Sequence, residues 1–423
     1  MYARKIKPEE YPRTEELFCI AFEFPMGEKK PEASALLERV QKAPQNRIEL
    51  NYMERWAAFD DAEQMAAFLS APPYPVRLDG QTVTMSAVGG VSTLPQYRKC
   101  GAMRLCFEKA FRDMYEAGWE LSALYPFSQN YYRKYGYEVC GEKIRYEVDL
   151  RAIPALQAEG SVRLLEKGNV TEDIIAVYRA FSAAYNLMVE RDEIDFKWTE
   201  GIDPSRDGRY VYVCYRKDGT PCAVLDFTKE RREDSFEMTC GHFWYIGMEG
   251  LQEALSLVRS FSNYYRCVSF WLPADLDVCR TLPEWALYPS ARRLEYTCMA
   301  RVIRVDRVLE KAAYKGSGCF ILHIRDEWLE ENNRSFLVEF ASGRANKVTV
   351  MSEKDKKMDI QKGTELSGET IPELSLPIQT FSRWILEGCS DEQLSAWSGM
   401  TENELELWKR VFYKKKVFPD DAF

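Results

Sequence analysis

Histidine is nearly absent from this chain of 423 residues, occurring only at His242 and His323. An H-E-x-x-H zinc site is therefore excluded, and a chymotrypsin-like triad has little to be built from. The twelve cysteines include no C-x-x-C pair, and several stand singly in apolar runs such as "VYVCYR" and "RCVSFW". They read as reduced core residues, and no metal is expected. No stretch approaches the ~20 apolar residues of a membrane span, and "MYARKIKPEEYPRTEELF" lacks the apolar core of a secretion signal. A cytoplasmic protein with no membrane partner is expected. The net charge of −9 disfavours a nucleic-acid partner and suits a cationic small molecule. Two anion-binding motifs are missing as well: there is no G-x-x-x-x-G-K-[ST], and no G-x-G-x-x-G follows a strand.

What is present is enough apolar residue, 46%, for several cores, and at ~150 residues per domain the length suggests two to four. Strand and helix signals mix throughout, which gives an α/β (α+β) fold in three segments. The first, 1–150, runs from an edge strand "YARKIKP" and a helix "TEELFCIAFEF" through short strands to a helix from Gly101 to about Ala117, then "LSALYPF", "SQNYYRKYG" and a closing strand "KIRYEVDL". The second, 151–300, repeats that order, with a hairpin around Asp218-Gly219, but has no basic turn at the matching junction, "HFWYIGMEGLQEAL". It reads as a duplicated fold whose second copy has lost the ligand. The third, 301–423, is α+β, with strands "CFILHI", "SFLVEF" and "NKVTVM", a polar loop "KKMDIQKGTELSGE", and helices "LPIQTFSRWILEG" and "TENELELWKRVFY". His323 and His242 are expected to satisfy core hydrogen bonds.

One junction carries chemistry. In "VGGVSTLPQYRKCGAMRL" a strand passes through a proline and a basic turn into a helix. A helix N-terminus offers free N–H groups and the positive end of its dipole, and a glycine lets an anion approach the backbone. Arg98, Lys99 and Arg104 add charge, and Gly101 follows Arg98 at R-x-x-G spacing.

This stretch resembles the acyl-CoA pyrophosphate loop of the GNAT N-acetyltransferases, in which Arg or Gln is followed after two residues by Gly and, one further on, by Gly or Ala. Arg98 and Gly101 match. Met103 stands where a small residue is usual, so its side chain is expected to turn away from the phosphates. "LYPFSQNYYRKYGYE" resembles the later element of that superfamily, a tyrosine-bearing helix ended by Gly and an aromatic. The arrangement is closer still to the enhanced-intracellular-survival (Eis) branch, with its GNAT domain, degenerate second GNAT-like domain and sterol-carrier-protein-like domain, here 1–150, 151–300 and 301–423.

The resemblance implies an acetyl-CoA-dependent N-acetyltransferase acting directly on an amine of an aminoglycoside-like or polyamine-like acceptor, without a metal, and assembled as a hexamer. Backbone N–H groups of Val91, Ser92 and Thr93 would position the acyl-pantetheine arm. Arg98, Lys99, Cys100, Gly101, Ala102, Met103 and Arg104 would hold the pyrophosphate, and Phe127 and Ser128 would also contact the cofactor. Tyr132 would be the general acid, and the C-terminal carboxylate of Phe423 the base. Ser128 also reads as a plain helix N-cap. Phe22 and Phe24 are candidate walls of the acceptor pocket. A protein lysine or N-terminal acetyltransferase, and a non-catalytic acyl-CoA or lipid-binding protein, are the competing readings.

Overall fold

The structure, a computed structural model, describes residues 1–27, 54–232, 235–282, 285–296, 298–351, 371–388 and 401–421. The sequence-predicted polar loop around Lys357 and the candidate base Phe423 lie outside the described residues. The chain divides into two compact units: Met1–Cys140 with Cys298–Lys415 and Asp420–Phe423, and Gly141–Thr297 with Lys416–Pro419.

The elements run β1 (Tyr2–Lys5), α1 (Tyr11–Ala21), β2 (Arg55–Phe59), β3 (Met65–Ser70), β4 (Pro73–Leu78), β5 (Gln81–Thr93), α2 (Ala102–Glu116), β6 (Leu121–Leu124), α3 (Gln129–Arg133) and β7 (Glu138–Val139). The middle of the chain forms β8 (Glu142–Asp149), β9 (Ser161–Leu164), α4 (Thr171–Ser182), β10 (Arg209–Tyr215), β11 (Pro221–Arg232), β12 (Ser235–Tyr245), α5 (Gly247–Ser260), β13 (Cys267–Pro273) and β14 (Ala291–Tyr296). Then follow β15 (Met299–Val302), α6 (Val305–Lys311), β16 (Gly318–Arg325), β17 (Ser335–Ala341), β18 (Arg344–Met351), β19 (Glu373–Pro377), α7 (Ile378–Glu387) and α8 (Glu402–Val411).

In the first unit an eight-stranded sheet runs β1-β2-β3-β5-β6-β15-β7, with β4 paired to β5. β2 is apolar on both faces because both are covered. Ala57 and Phe59 pack with Tyr11 and Leu17 of α1, whereas Trp56 and Ala58 pack with Met103, Phe107 and Ala110 of α2. Helix α2 turns Ala102, Met103, Cys106, Phe107, Ala110, Phe111 and Met114 inward at helical spacing. Each large side chain so buried contributes about 1.5–3 kcal/mol. A second, four-stranded sheet of this unit runs β18-β17-β16-β19. On it the His323 ring bonds Ser335 Oγ at 2.7 Å and Glu373 at 2.9 Å.

The other unit has a seven-stranded sheet, β14-β8-β13-β12-β11-β10-β9. The hairpin β10–β11 turns at Gly219, whose φ of +85° is the left-handed value glycine tolerates. His242 packs its ring on Trp244, 4.5 Å between centroids. α5 begins at Gly247 with no capping side chain and no basic residue before it. β8, the first strand of this unit, pairs with β13 and β14, whereas β15, the first strand after the unit in sequence, joins the eight-stranded sheet between β6 and β7.

Candidate active site

The site is organised by a strand that outruns its neighbour. β5 pairs in parallel with β6 only from Met85↔Leu121 to Val88↔Leu124, where β6 ends and β5 continues five residues to Thr93. Over that extension β5 pairs instead with β3, through Ser70↔Gly89 and then, after a register break between Gly89 and Ser92, through Ser92↔Phe68 and Thr93↔Ala67. Gly90 has φ +59°, and a Cβ there would lie 3.3 Å from the Phe68 ring, so the bend needs a residue without a side chain. Leu94 N–H bonds Ala66 O on the β3 side. Strand alternation then turns the N–H groups of Thr93 and Val91 to the opposite edge, into the splay left by β6. Below the splay a buried hydroxyl chain closes the gap: Tyr137 Oη lies 2.6 Å from Ser122 Oγ, which accepts from Ser86 Oγ at 2.8 Å.

The splay opens into a cleft of about 620 Å³. Of the sequence-predicted residues, Val91, Ser92, Thr93, Arg98, Lys99, Gly101, Ala102, Met103, Arg104 and Phe127 line it; Cys100, Ser128 and Tyr132 do not. Helix α2 points its first turn at this space. Its N-cap is Gly101, at φ +84°, and no side chain caps it. A Cβ on Gly101 would meet nothing within 4 Å, so glycine is required by the backbone and the space before it is open. Lys99 is also left-handed, at φ +65°. Met103 is only 6% exposed and belongs to the core cluster of Phe107 and Phe111, so its bulk goes into the interior. Cys100 is exposed, its thiol 3.7 Å from Arg98 O.

The cleft fits a polyanionic thioester on two counts. Arg98, Lys99, Arg104 and Lys134 are among the described residues lining it, and no carboxylate is. Ser92 Oγ is buried with no hydrogen-bond partner among the described residues, at the place where the strand edge is open.

The far wall is aromatic. Ser128 is the N-cap of α3, its Oγ accepting the Tyr131 N–H at 3.4 Å. Tyr131 and Tyr135, four residues apart, share the face toward the cleft, and their hydroxyls lie 3.4 Å from each other. Tyr132 is not on the cleft wall: it is 3% exposed, its ring against Phe127, which does line the cleft, and against Tyr131, Phe107 and Tyr137. Burial raises its phenol pKa above the ordinary value, and raises those of Tyr131 and Tyr135 as well. Phe22 lines the cleft beside Ala21, and Phe18 packs on both Phe22 and Phe24. The sequence reading missed Tyr97, Tyr131, Lys134 and Tyr135 as walls; the i, i+4 spacing of Tyr131 and Tyr135 was the available signal.

The tail comes to the same unit. Tyr125, directly after β6, donates its hydroxyl to the carbonyl of Asp421. The pKa of its phenol is raised by burial first, and further by Cys298, Asp421 and Asp420. Among the described residues there is no cluster suited to a metal ion, and no helix is long and apolar enough to cross a membrane.

Comparison with known proteins agrees with this geometry. Residues 2–140 match the family model of the acetyltransferase (GNAT) domain, and residues 305–418 that of the sterol carrier protein domain. No curated protein matches the sequence. The whole chain shares its fold with a GCN5-related N-acetyltransferase from Anabaena variabilis, at a TM-score of 0.79 and 19% identity over 100% of this chain and 99% of that one. A probable N-acyltransferase from Enterococcus faecalis superposes at 0.77 with 18% identity, covering 100% and 99%. Eis1 from Mycobacterium abscessus superposes at 0.74 with 15% identity, covering 100% of both chains. At these identities the likeness establishes the fold alone. The family match makes the first domain a GNAT acetyltransferase domain and the chain an acyltransferase.

Proposed function

We propose that this acyltransferase carries acetyl from acetyl-CoA directly to an amine of a cationic small molecule, of the aminoglycoside or polyamine kind. The observation that carries the reading is the cleft itself. An open strand edge at Val91 and Thr93 leads to an uncapped helix start at Gly101, flanked by Arg98, Lys99 and Arg104, with no carboxylate on the described walls.

The pyrophosphate would sit at the first turn of α2, on its N–H groups and the two arginines. Val91 and Thr93 N–H groups would hold the pantetheine arm and the thioester carbonyl. A fixed donor on a developing oxyanion lowers such a barrier by about 2.7–4 kcal/mol. The amine nitrogen adds to the carbonyl carbon, the C–N bond forms and the C–S bond breaks. Tyr132, which is not on the cleft wall but packs against Phe127 that is, would give its proton to the departing thiolate; its buried phenol stays protonated at neutral pH. In the same reading the ammonium proton leaves to the carboxylate of Phe423, a residue outside the described part of the chain. The Tyr125–Asp421 hydrogen bond supports it by holding Asp421 against the residue that follows β6. The acidic net charge suits the acceptor. By resemblance the assembly is a hexamer in the cytoplasm, which sedimentation velocity tests for its size.

The test is CoA release from acetyl-CoA with aminoglycosides, polyamines and lysine peptides offered in parallel. Release with polyamines or aminoglycosides supports the reading. Acetyl-CoA binding with no release to any of the three contradicts it.

A further inference from the structure

Helix α3 has five residues, too few to be stable alone, because a helix repays its nucleation cost only after several turns. Its last carbonyls should be orphans. The turn's own amides take some of them, Tyr135 and Tyr137 N–H on Tyr132 O and Gly136 N–H on Arg133 O, and side chains from the last third of the sequence reach the carbonyls of Arg133 and of the two residues after it. Gln379 Nε2, in the first turn of α7, donates to Arg133 O at 3.2 Å. Trp328 Nε1 donates to Lys134 O at 2.8 Å. Arg301 Nη1, on β15, donates to Tyr135 O at 2.5 Å. Three consecutive carbonyls are thus bound by three residues that lie 166 to 246 positions later in the chain.

The donors are themselves held. Arg301 is fully buried and its Nη2 reaches both oxygens of Asp326, at 2.8 and 2.7 Å. Asp326 also accepts the N–H of Trp328 at 2.9 Å and Asn332 Nδ2 at 3.0 Å. The Trp328 ring leans on Tyr135, 5.0 Å between centroids, and carries the Arg104 guanidinium 5.6 Å above it. One indole therefore touches both walls of the cleft, the tyrosine turn and the helix that begins at Gly101.

We infer that Arg301, Trp328 and Gln379 are positioning residues that brace the tyrosine turn. Trp328 and Gln379 belong to the sterol-carrier-like segment, so that segment serves as a strut of the acyl-transfer site. Their role in turnover rests on the function proposed above; their role as a brace does not. Neither residue touches the reacting atoms. They act by fixing where Tyr131, Tyr132 and Tyr135 stand, and a displacement of about 1 Å at such a site costs up to about a hundredfold in rate.

The test uses the full chain with Trp328→Phe, which keeps a ring beneath Arg104 but removes the donor to Lys134, and with Gln379→Leu. Both sites are half-buried, and thermal unfolding verifies the fold of each variant. Hydrogen exchange is read over 128–137, where the amides of Tyr132, Tyr135, Gly136 and Tyr137 bond within the turn. Exchange there should speed up about tenfold while 103–116 of α2 is unchanged, and kcat should fall on the order of tenfold with the KM for acetyl-CoA within about twofold in Gln379→Leu. Unchanged exchange over 128–137 overturns the brace. Faster exchange with unchanged kcat overturns its positioning role. Selective loosening in a protein that releases no CoA with any amine leaves the brace standing and removes the proposed function instead.

Discussion

Gly101 and Gly136 have the same backbone and opposite surroundings, which makes them a controlled pair. Their φ angles are +84° and +85°, so alanine at either position meets a similar left-handed penalty of about 1–2 kcal/mol. At Gly101 the new Cβ enters open space. At Gly136 it would lie 2.0 Å from Arg301 Nη1, 2.9 Å from Arg301 Cζ and 3.2 Å from Ile378 Cγ2. The guanidinium has nowhere to go, because its ion pair with Asp326 has no exposed side-chain surface at either end. Pushing it aside breaks a buried pair, at about 3–5 kcal/mol. Gly136→Ala should therefore lose about 4–7 kcal/mol and Gly101→Ala only the first ~1–2 kcal/mol. Denaturant titration of both variants, followed by tryptophan fluorescence, measures the difference. Equal losses would refute the placement of Arg301 against the tyrosine turn.

Further outcomes follow from the same geometry. Arg98→Ala and Arg104→Ala should each raise the KM for acetyl-CoA roughly tenfold with little change in kcat, since a phosphate contact is made equally in ground and transition states; steady-state kinetics decide it, and an effect on kcat alone would count against the phosphate role. Burial raises the Tyr132 pKa, so its proton-bearing form persists above the ~10 of a free phenol. The pH profile of kcat should then show no basic limb due to this residue below pH ~10. A limb below pH ~9 that vanishes in Tyr132→Phe would contradict the assignment. The Lys415 ammonium is buried against Asp79 and donates to Ile385 O at 2.8 Å. Lys415→Met should cost about 3–5 kcal/mol of stability by leaving that carboxylate without its cation, and a loss under ~1 kcal/mol would show the pair to be dispensable.

The features legible in the sequence were those carried by short spacing. Arg98, Gly101 and the strand before them announced a helix start facing an anion, and the cleft forms there. The apolar period of "AMRLCFEKAFRDM" gave α2 and its buried face. Hairpins such as Asp218-Gly219 followed from turn chemistry. What could not be read was anything set by distant pairing. "KIRYEVDL" alternates like any half-buried strand, and nothing local reveals that β8 enters the seven-stranded sheet while Met299–Val302 enters the eight-stranded one. Arg301, Trp328 and Gln379 look in sequence like an isolated cation, an aromatic and an amide. Their meaning arises because their carbonyl partners lie more than 160 residues away. The orientation of the tyrosines was half-legible: helical spacing puts Tyr131 and Tyr135 on one face and Tyr132 on another, but which face meets the cleft depends on Phe107 and Phe127 packing from elsewhere.

The central claim is that the cleft between β5 and α2 moves acetyl from a thioester to an amine with Tyr132 as acid. A single-turnover reaction of stoichiometric acetyl-CoA with a polyamine, comparing native protein and Tyr132→Phe, tests it most directly. The account predicts one CoA released per acetylated amine in the native protein, and in Tyr132→Phe a rate lower by about a hundredfold with acetyl-CoA affinity unchanged. Equal rates in the two proteins would contradict it.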